Sequence, residues 1–293
     1  MVTDGTNAYV VWADAPQGHS AAISTSTGRI RWHTATAPSA ALIATDGGLV
    51  WTAQNTGPEL VEQSATDGAV LARLQAPTGE NWSALTAVGT YLYGLTYGGS
   101  ANELLIYWGS TLVGRARLGF DADACHIAVG DLVSAYLVCF GSPNAVYRIS
   151  TLTGQILAVY PRRDLDGGEN LAYANGDVYV TVSPETNQPP TRVLRLDGTT
   201  LRPMAESPPL QTIGIAAAGR QIVALQGQGS ATPGAVVTLD PETLLPTGSA
   251  SVQGDGYPMF FTATPDAAYV VEARSTSTLA EDLVRVDVAH ERS

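Results

Sequence analysis

The chain has 293 residues, of which 45% are hydrophobic and 14% are charged, and its formal net charge is −12. This composition is typical of a packed globular protein and excludes a largely disordered chain. The acidic balance excludes the basic stripe that binds phosphate backbones, so we predict no nucleic-acid partner. All 15 basic residues are arginine, which excludes Schiff-base and P-loop chemistry because both depend on lysine.

A short pattern recurs seven times along the chain, and each copy is a β-branched strand that ends in a polar turn. Successive copies lie 40 to 47 residues apart, at Ser24, Ser64, Trp108, Ser150, Asp197, Asp240 and Asp287. A period in the forties that is built from strands is typical of β-propeller blades. We therefore predict an all-β fold in which residues 1–293 form a single seven-bladed β-propeller of four-stranded antiparallel blades.

The second repeat shows the predicted strands most clearly, at residues 40–45, 49–54, 59–64 and 69–75. Gly and Asp separate these segments, as expected for tight hairpins. The second strand of most repeats carries an aromatic residue that we expect to pack between blades, namely Trp12, Trp51, Tyr93, Tyr179 and Tyr269.

The first and last repeats are shorter than the others. Only Met1 and Val2 precede the first turn, and no fourth strand follows Asp287. We therefore expect the first and last blades to be incomplete, with the natural protein extending upstream or the missing strands supplied otherwise, because propellers avoid unpaired edges. No apolar run reaches the roughly 18 residues of a membrane span, so membrane attachment is expected only through segments outside this chain.

Residues 22–32 read AISTSTGRIRW. This segment resembles the tryptophan-docking repeat of PQQ-like, or quinoprotein-type, propellers and the related YVTN-like propellers, with Ser24 and Arg29 at the usual Asp and Lys positions. The resemblance implies one of two roles, a quinone-cofactor dehydrogenase or a non-catalytic scaffold or sensor outside the cytoplasm. The chain has no adjacent cysteine pair and only one full motif, with Trp32, which favours the second role.

Two cysteines and one histidine are candidates for chemistry in the fourth repeat. Cys125 and Cys139 lie on neighbouring predicted strands, where they form either a disulfide or two buried free thiols. His126 lies on an innermost strand and is the weak candidate for acid–base catalysis. The alternative is a hydrogen-bonded structural histidine.

The loops that join successive blades are rich in carboxylates. We predict an acidic rim that forms a ligand-binding face together with His126, composed of Glu80, Trp82, Asp121, Asp123, Arg162, Arg163, Asp164, Asp166, Glu169, Asp255 and Tyr257. Such a rim suits a cation or a cationic partner. Trp82 is expected either to stack on a ligand or to pack inward.

Within this rim, Asp164, Asp166 and Glu169 have the alternating spacing that begins a calcium loop. A solvated turn is the alternative, as is an arginine that pairs with these carboxylates and orders the loop. No cofactor other than this calcium ion is predicted.

These observations predict an exported, periplasmic or cell-surface recognition or scaffold propeller that binds a protein, peptide or small ligand at its acidic face. One alternative is a propeller enzyme, either a quinone-dependent dehydrogenase or a metal-dependent lyase or lactonase. Another is an assembly platform that uses the side or lower face of the propeller.

Overall fold

The computed structural model describes the chain except residues 15–16, 39, 47, 55–56, 99–101, 124, 132, 141–143, 166–170, 184–190, 228–233, 254–256, 276–277 and 289–293. The described residues form 27 β strands and no helix. These strands make seven antiparallel sheets, of which six have four strands and the last has three. The fold is the seven-bladed β-propeller that the repeat predicts.

The chain divides into two compact units, the first made of Met1–Pro143 and Tyr147–Val159, the second of Asn144–Val146 and Tyr160–Ser293. Blade 4 contains residues of both units. The strands of blades 1 to 4 are β1 Val2–Thr3, β2 Asn7–Asp14, β3 Gln17–Ser24, β4 Ile30–Thr36, β5 Ala40–Asp46, β6 Leu49–Gln54, β7 Glu59–Ser64, β8 Val70–Gln75, β9 Glu80–Val88, β10 Tyr91–Gly98, β11 Asn102–Trp108, β12 Thr111–Leu118, β13 Cys125–Val129, β14 Ser134–Cys139, β15 Ala145–Ser150 and β16 Ile156–Pro161.

Blades 5 to 7 belong to the second unit. Their strands are β17 Leu171–Ala174, β18 Asp177–Val182, β19 Arg192–Asp197, β20 Pro203–Glu206, β21 Thr212–Ala218, β22 Gln221–Gln226, β23 Ala235–Leu239, β24 Pro246–Ser251, β25 Tyr257–Ala263, β26 Ala267–Ser275 and β27 Thr278–Asp287. In every blade each strand pairs with the next strand along the chain. The first strand of blade 1 has two residues, and the described part of blade 7 has three strands.

Burial falls from the middle strands of a blade toward its last strand. All six residues of β14 and of β18 are buried, whereas β8 and β16 alternate between exposed and half-buried positions. The last strand is therefore the least covered strand of its blade, with one face half-buried and the other in solvent, as strand alternation gives.

The recurring polar residue at the end of the third strand has a structural role in the turn that follows. The carbonyl of Ser64 accepts a hydrogen bond from the amide of Gly68, four residues on, and the amide of Ser64 donates to Ala69. Asp240 makes the same two backbone contacts, and its carboxylate also accepts hydrogen bonds from Glu242 and Thr243. The sequence repeat is thus a repeat of one five-residue turn.

Blade 3 departs from this turn. Trp108 pairs directly with Thr111, so only two residues join β11 to β12. Because a two-residue hairpin replaces the longer turn, Trp108 is not needed as a turn cap and its side chain is exposed.

Candidate functional site

Cys125 and Cys139 occupy directly opposite positions on β13 and β14, with Cα atoms 4.1 Å apart. A disulfide bond joins them. Both side chains are buried, so the bond lies inside blade 4 and connects its first two strands.

His126 follows the first cysteine on β13, opposite Val138, and is half-buried. Its imidazole makes an edge contact with the ring of Phe140, with centroids 5.8 Å apart. Within the described ranges, no three His, Cys, Asp or Glu side chains lie close enough together to hold a metal ion.

Two residues assigned to the ligand-binding face are buried. For Glu80 this corrects the prediction, whereas Trp82 packs inward, which is the second of the two alternatives expected for it. Trp82 is fully buried, and its indole nitrogen donates to the carbonyl of Pro58 at 2.8 Å. Glu80 is also buried and accepts a hydrogen bond from the hydroxyl of Thr96. Both residues begin β9, where strand pairing and the neighbouring blade cover them, rather than lying in a loop.

Asp121 and Asp123 are the described rim carboxylates of the first unit that remain exposed. The carboxylate of Asp121 accepts a hydrogen bond of 3.1 Å from the backbone amide of Asp123, and this contact shapes the turn before β13.

In the second unit, the guanidinium of Arg162 holds the carboxylate of Asp164 with two hydrogen bonds, of 2.5 and 2.9 Å. The hydrogen bond from Arg162 lowers the pKa of Asp164 below its ordinary value, and burial opposes this only in part. Arg163 is exposed, and its carbonyl accepts from the side chain of Asn144. Asp166, Glu169 and Asp255 lie outside the described residues, as does the side chain of Tyr257.

Trp12 is also not where the sequence interpretation placed it. Its side chain is 37% exposed and stacks on the rings of His19 and His33, with centroids 5.5 and 5.3 Å away. Tyr9 is the aromatic residue of β2 that is buried between blades. Residues 9 and 12 are three apart, and strand alternation therefore places them on opposite faces.

The blades pack through a recurring space that we call the docking socket. It lies between the last three strands of one blade and the turn after the third strand of the next blade. In blade 1, Tyr9, Ala22 and Trp32 lie opposite one another across β2, β3 and β4. The indole of Trp32 fills this socket, and its nitrogen donates to the carbonyl of Ala65 in blade 2 at 2.9 Å.

The corresponding three positions of blade 3 are Tyr93, Ile106 and Gly114. Because glycine stands where blade 1 has Trp32, position 114 contributes no side chain to the socket. A pocket of about 310 Å³ remains there, lined by Tyr91, Tyr93, Ile106, Val113, Gly114, Val133, Thr151 and Leu152. We call this pocket the open socket.

In blade 5 the corresponding residues are Tyr179, Arg195 and Ala205. Arg195 donates to the carbonyl of Glu242 in blade 6 and pairs with Asp177, whose carboxylate lies 2.6 Å from its Nη2 atom. The Tyr179 hydroxyl donates to the carbonyl of Pro241, and burial raises the pKa of Tyr179 to about 12. This socket is polar, and its protein groups are bonded to one another.

Exposed apolar side chains recur at the start of the last strand in blades 1 to 4. We call this set the outer apolar band; its members are Ile30, Val70, Leu71, Leu112, Val113, Ile156 and Leu157, each more than 40% exposed. Sequence reasoning missed both the band and the open socket. The signal for the band was present in the sequence, because an apolar pair follows the turn in three successive repeats.

Comparisons with known proteins support the fold alone. The chain matches no protein-family model and no curated protein. Among solved structures it is similar to BamB from Moraxella catarrhalis, with 16% identity, a TM-score of 0.59, and coverage of 98% of this chain and 83% of that one. It is also similar to a chain of the mitotic checkpoint complex, with 11% identity, a TM-score of 0.70, and coverage of 97% and 86%.

A third similar structure is a europium-containing methanol dehydrogenase, with 11% identity, a TM-score of 0.53, and coverage of 91% of this chain and 73% of that one. The described residues include no helix with the length and apolar character that crossing a bilayer requires. The similar proteins thus include a dehydrogenase and a chain of the mitotic checkpoint complex, which agrees with the rule that function depends on the site rather than the fold.

Proposed function

We propose that this protein is a non-catalytic recognition scaffold of the PQQ-like and YVTN-like propeller type, which binds a partner protein through the outer apolar band of its first unit. The observation that carries the proposal is the recurrence of exposed apolar side chains at one position in four successive blades. Isolated exposed apolar residues are ordinary, whereas neighbouring exposed apolar residues, such as the pairs Val70–Leu71, Leu112–Val113 and Ile156–Leu157, are typical of interaction surfaces.

The contacts of the polar groups support a binding role rather than a catalytic one. Glu80 is bonded to Thr96, Asp164 to Arg162, and Asp177 to Arg195. Each of these carboxylates is engaged in holding strands or loops together. The dehydrogenase alternative rests on similarity of fold, which alone assigns no chemistry.

Two further features support particular parts of the proposal. The disulfide in blade 4 favours an oxidising compartment, so we place the protein outside the cytoplasm. The exposed carboxylates of Asp121 and Asp123 add a negative charge that suits a partner with a basic surface. The similar chain of the mitotic checkpoint complex provides a precedent for this fold within a protein assembly.

The test is site-specific photo-crosslinking in cells of the source organism, with a photoreactive residue at Leu71 or at Leu157. Arg117 is the matched control, since it is exposed on an outer strand of the same unit but at the opposite end of that strand. We expect one discrete adduct from the two band positions and none from residue 117. Equal crosslinking at all three positions, or none at the band, contradicts the proposal.

A further inference from the structure

We infer that the open socket between blades 3 and 4 binds the indole ring of a tryptophan side chain that a partner polypeptide supplies. The inference rests on the proposed function only for the source of the ligand. The socket itself is argued from the repeat.

The geometry of the open socket repeats that of the socket in blade 1. Tyr93 and Ile106 occupy the positions of Tyr9 and Ala22, and Gly114 occupies the position of Trp32. One backbone contact of the opposite wall also recurs, although Gly154, at the position of Gly68, packs on Ala116 rather than facing an open space. The amide of Thr151 bonds to the carbonyl of Val133 in blade 4, just as that of Ala65 bonds to the carbonyl of Gly48 in blade 2.

The volume of the open socket suits a bicyclic aromatic ring. A dry apolar cavity of about 150 Å³ accommodates benzene, and the open socket measures about 310 Å³. This volume is near the lower limit of pockets that take small ligands, which begin at roughly 300 Å³.

The chemistry of the lining also suits an indole. Ile106, Val113 and Val133 offer apolar contacts, and the rings of Tyr91 and Tyr93 offer aromatic faces. The carbonyl of Thr151 corresponds to that of Ala65, which accepts the N–H of Trp32. A carbonyl oxygen has two lone pairs, so the residue after the turn cap can accept an indole N–H here as in blade 1.

The mouth of the open socket favours a polypeptide as the source of the ring. Val113 belongs to the outer apolar band, and Val133 and Leu152 are exposed beside it. A partner chain that covers the band would therefore pass the mouth and could insert one side chain. In blade 1 the ring likewise reaches its socket from a polypeptide strand, β4.

The experiment measures binding of N-acetyl-L-tryptophanamide to the whole protein by isothermal calorimetry and ligand-observed NMR. We expect a dissociation constant on the order of 1 mM or tighter, which is reasonable for a fragment of this size. The 1-methyl derivative, which lacks the ring N–H, should bind about three- to tenfold more weakly. Free indole distinguishes a small-molecule site, because binding of indole without binding of the amide overturns the inference.

The variant Gly114→Trp places an indole in the socket from β12 and should lower the affinity for the probe by at least about tenfold. Gly119→Trp is the matched control, since residue 119 is exposed and a Cβ there meets no atom within 4 Å. It should bind the probe as the wild type does. Leu152→Glu changes only an exposed side chain at the mouth and should also weaken binding, which keeps the test valid if Gly114→Trp does not fold.

Failure of this inference is distinct from failure of the proposed function. No probe binding to the wild type, or unchanged binding to both Gly114→Trp and Leu152→Glu, overturns the open socket as an indole site. Crosslinking from Leu71 depends on neither result, because Leu71 does not line the socket.

Discussion

The indole of Trp32 packs on Gly68 of the next blade so closely that a methyl group does not fit between them. A Cβ built on Gly68 would lie 2.6 Å from the indole Cε3 atom and 2.8 Å from Cδ2. Gly28 has the same place in the turn of blade 1 and nearly the same φ, +67° against +72°, but a Cβ on it meets no atom within 4 Å. Comparing substitutions at the two glycines therefore distinguishes the cost of backbone strain from the cost of disturbed packing between blades.

We predict that Gly68→Ala destabilises the protein more than Gly28→Ala does. Both variants place a Cβ at positive φ, which is unfavourable, and Gly68→Ala also overpacks the interface at a cost of about 1–3 kcal/mol. Urea unfolding of the two variants gives the difference. Equal destabilisation would mean that Trp32 moves aside without cost, and the difference should vanish in a Trp32→Ala background.

A second prediction concerns Glu62, which lies in blade 2 at the position of Ala22 and Ile106. Its side chain is buried, and its Oε2 atom has no hydrogen-bond partner among the described residues. Burial raises the pKa of Glu62 above its ordinary value. The native state therefore binds this proton more tightly than the unfolded state, so the contribution of Glu62 to stability is full below about pH 4 and is lost as the pH rises through the raised pKa.

Glu62→Gln should accordingly be more stable than the wild type near neutral pH, with a difference that disappears in acid. Thermal unfolding as a function of pH measures this. Glu59→Gln, on the same strand, is the control, because Glu59 pairs with Arg73 at a partly exposed site and its loss should slightly destabilise the protein. A pH-independent effect of Glu62→Gln would show that the charge of Glu62 plays no part.

The fold could be predicted from the sequence because the signals are local and repeated. The residues that cap the turns, such as Ser64 and Asp240, can be recognised in the sequence. Their backbone or side-chain groups form hydrogen bonds with residues no more than five positions away. The four strands of blade 2 were predicted to within one residue of β5 to β8 for the same reason. The alternation of apolar and polar residues and the residues of the turns can both be recognised without knowing how the neighbouring blade packs.

The site could not be predicted in the same way, because burial depends on contacts between blades. Trp82 and Glu80 have the composition of a polar loop but lie on a strand that blade 2 covers. The open socket is visible in the sequence only once Gly114 is aligned with Trp32. That alignment requires the register of β11 and β12, which the short turn after Trp108 shifts by two residues.

A third prediction concerns calcium at Asp164, Asp166 and Glu169. Arg162 already occupies both carboxylate oxygens of Asp164, so a cation there would compete with a charge-assisted pair. We predict no change in melting temperature between calcium and chelator for the wild type. Arg162→Ala frees the carboxylate, and a calcium-dependent rise in that variant would show that the arginine suppresses a latent site.

A clear calcium-dependent rise in the wild type would contradict this prediction and revive metal-dependent binding, since a ligand that binds the native state raises its stability. Arg163→Ala is the control for loss of an arginine charge in the same loop. Arg163 is exposed and makes no ion pair with Asp164 among the described contacts.

The last prediction concerns the disulfide between Cys125 and Cys139. The two residues are 14 apart in sequence, and closing a loop of about 15 residues in the unfolded chain stabilises the native state by about 3 kcal/mol. Because the bond links the first two strands of blade 4, its loss should also loosen the first strand, β13, which carries His126. After reduction we expect a lower urea midpoint of unfolding, and a larger increase in the rate of amide hydrogen exchange in β13 than in β7.

The Cys125→Ala, Cys139→Ala double variant should have the same lowered midpoint and no response to reductant. If reduction leaves the wild-type midpoint unchanged while mass spectrometry shows two free thiols, the strand pairing alone holds this hairpin.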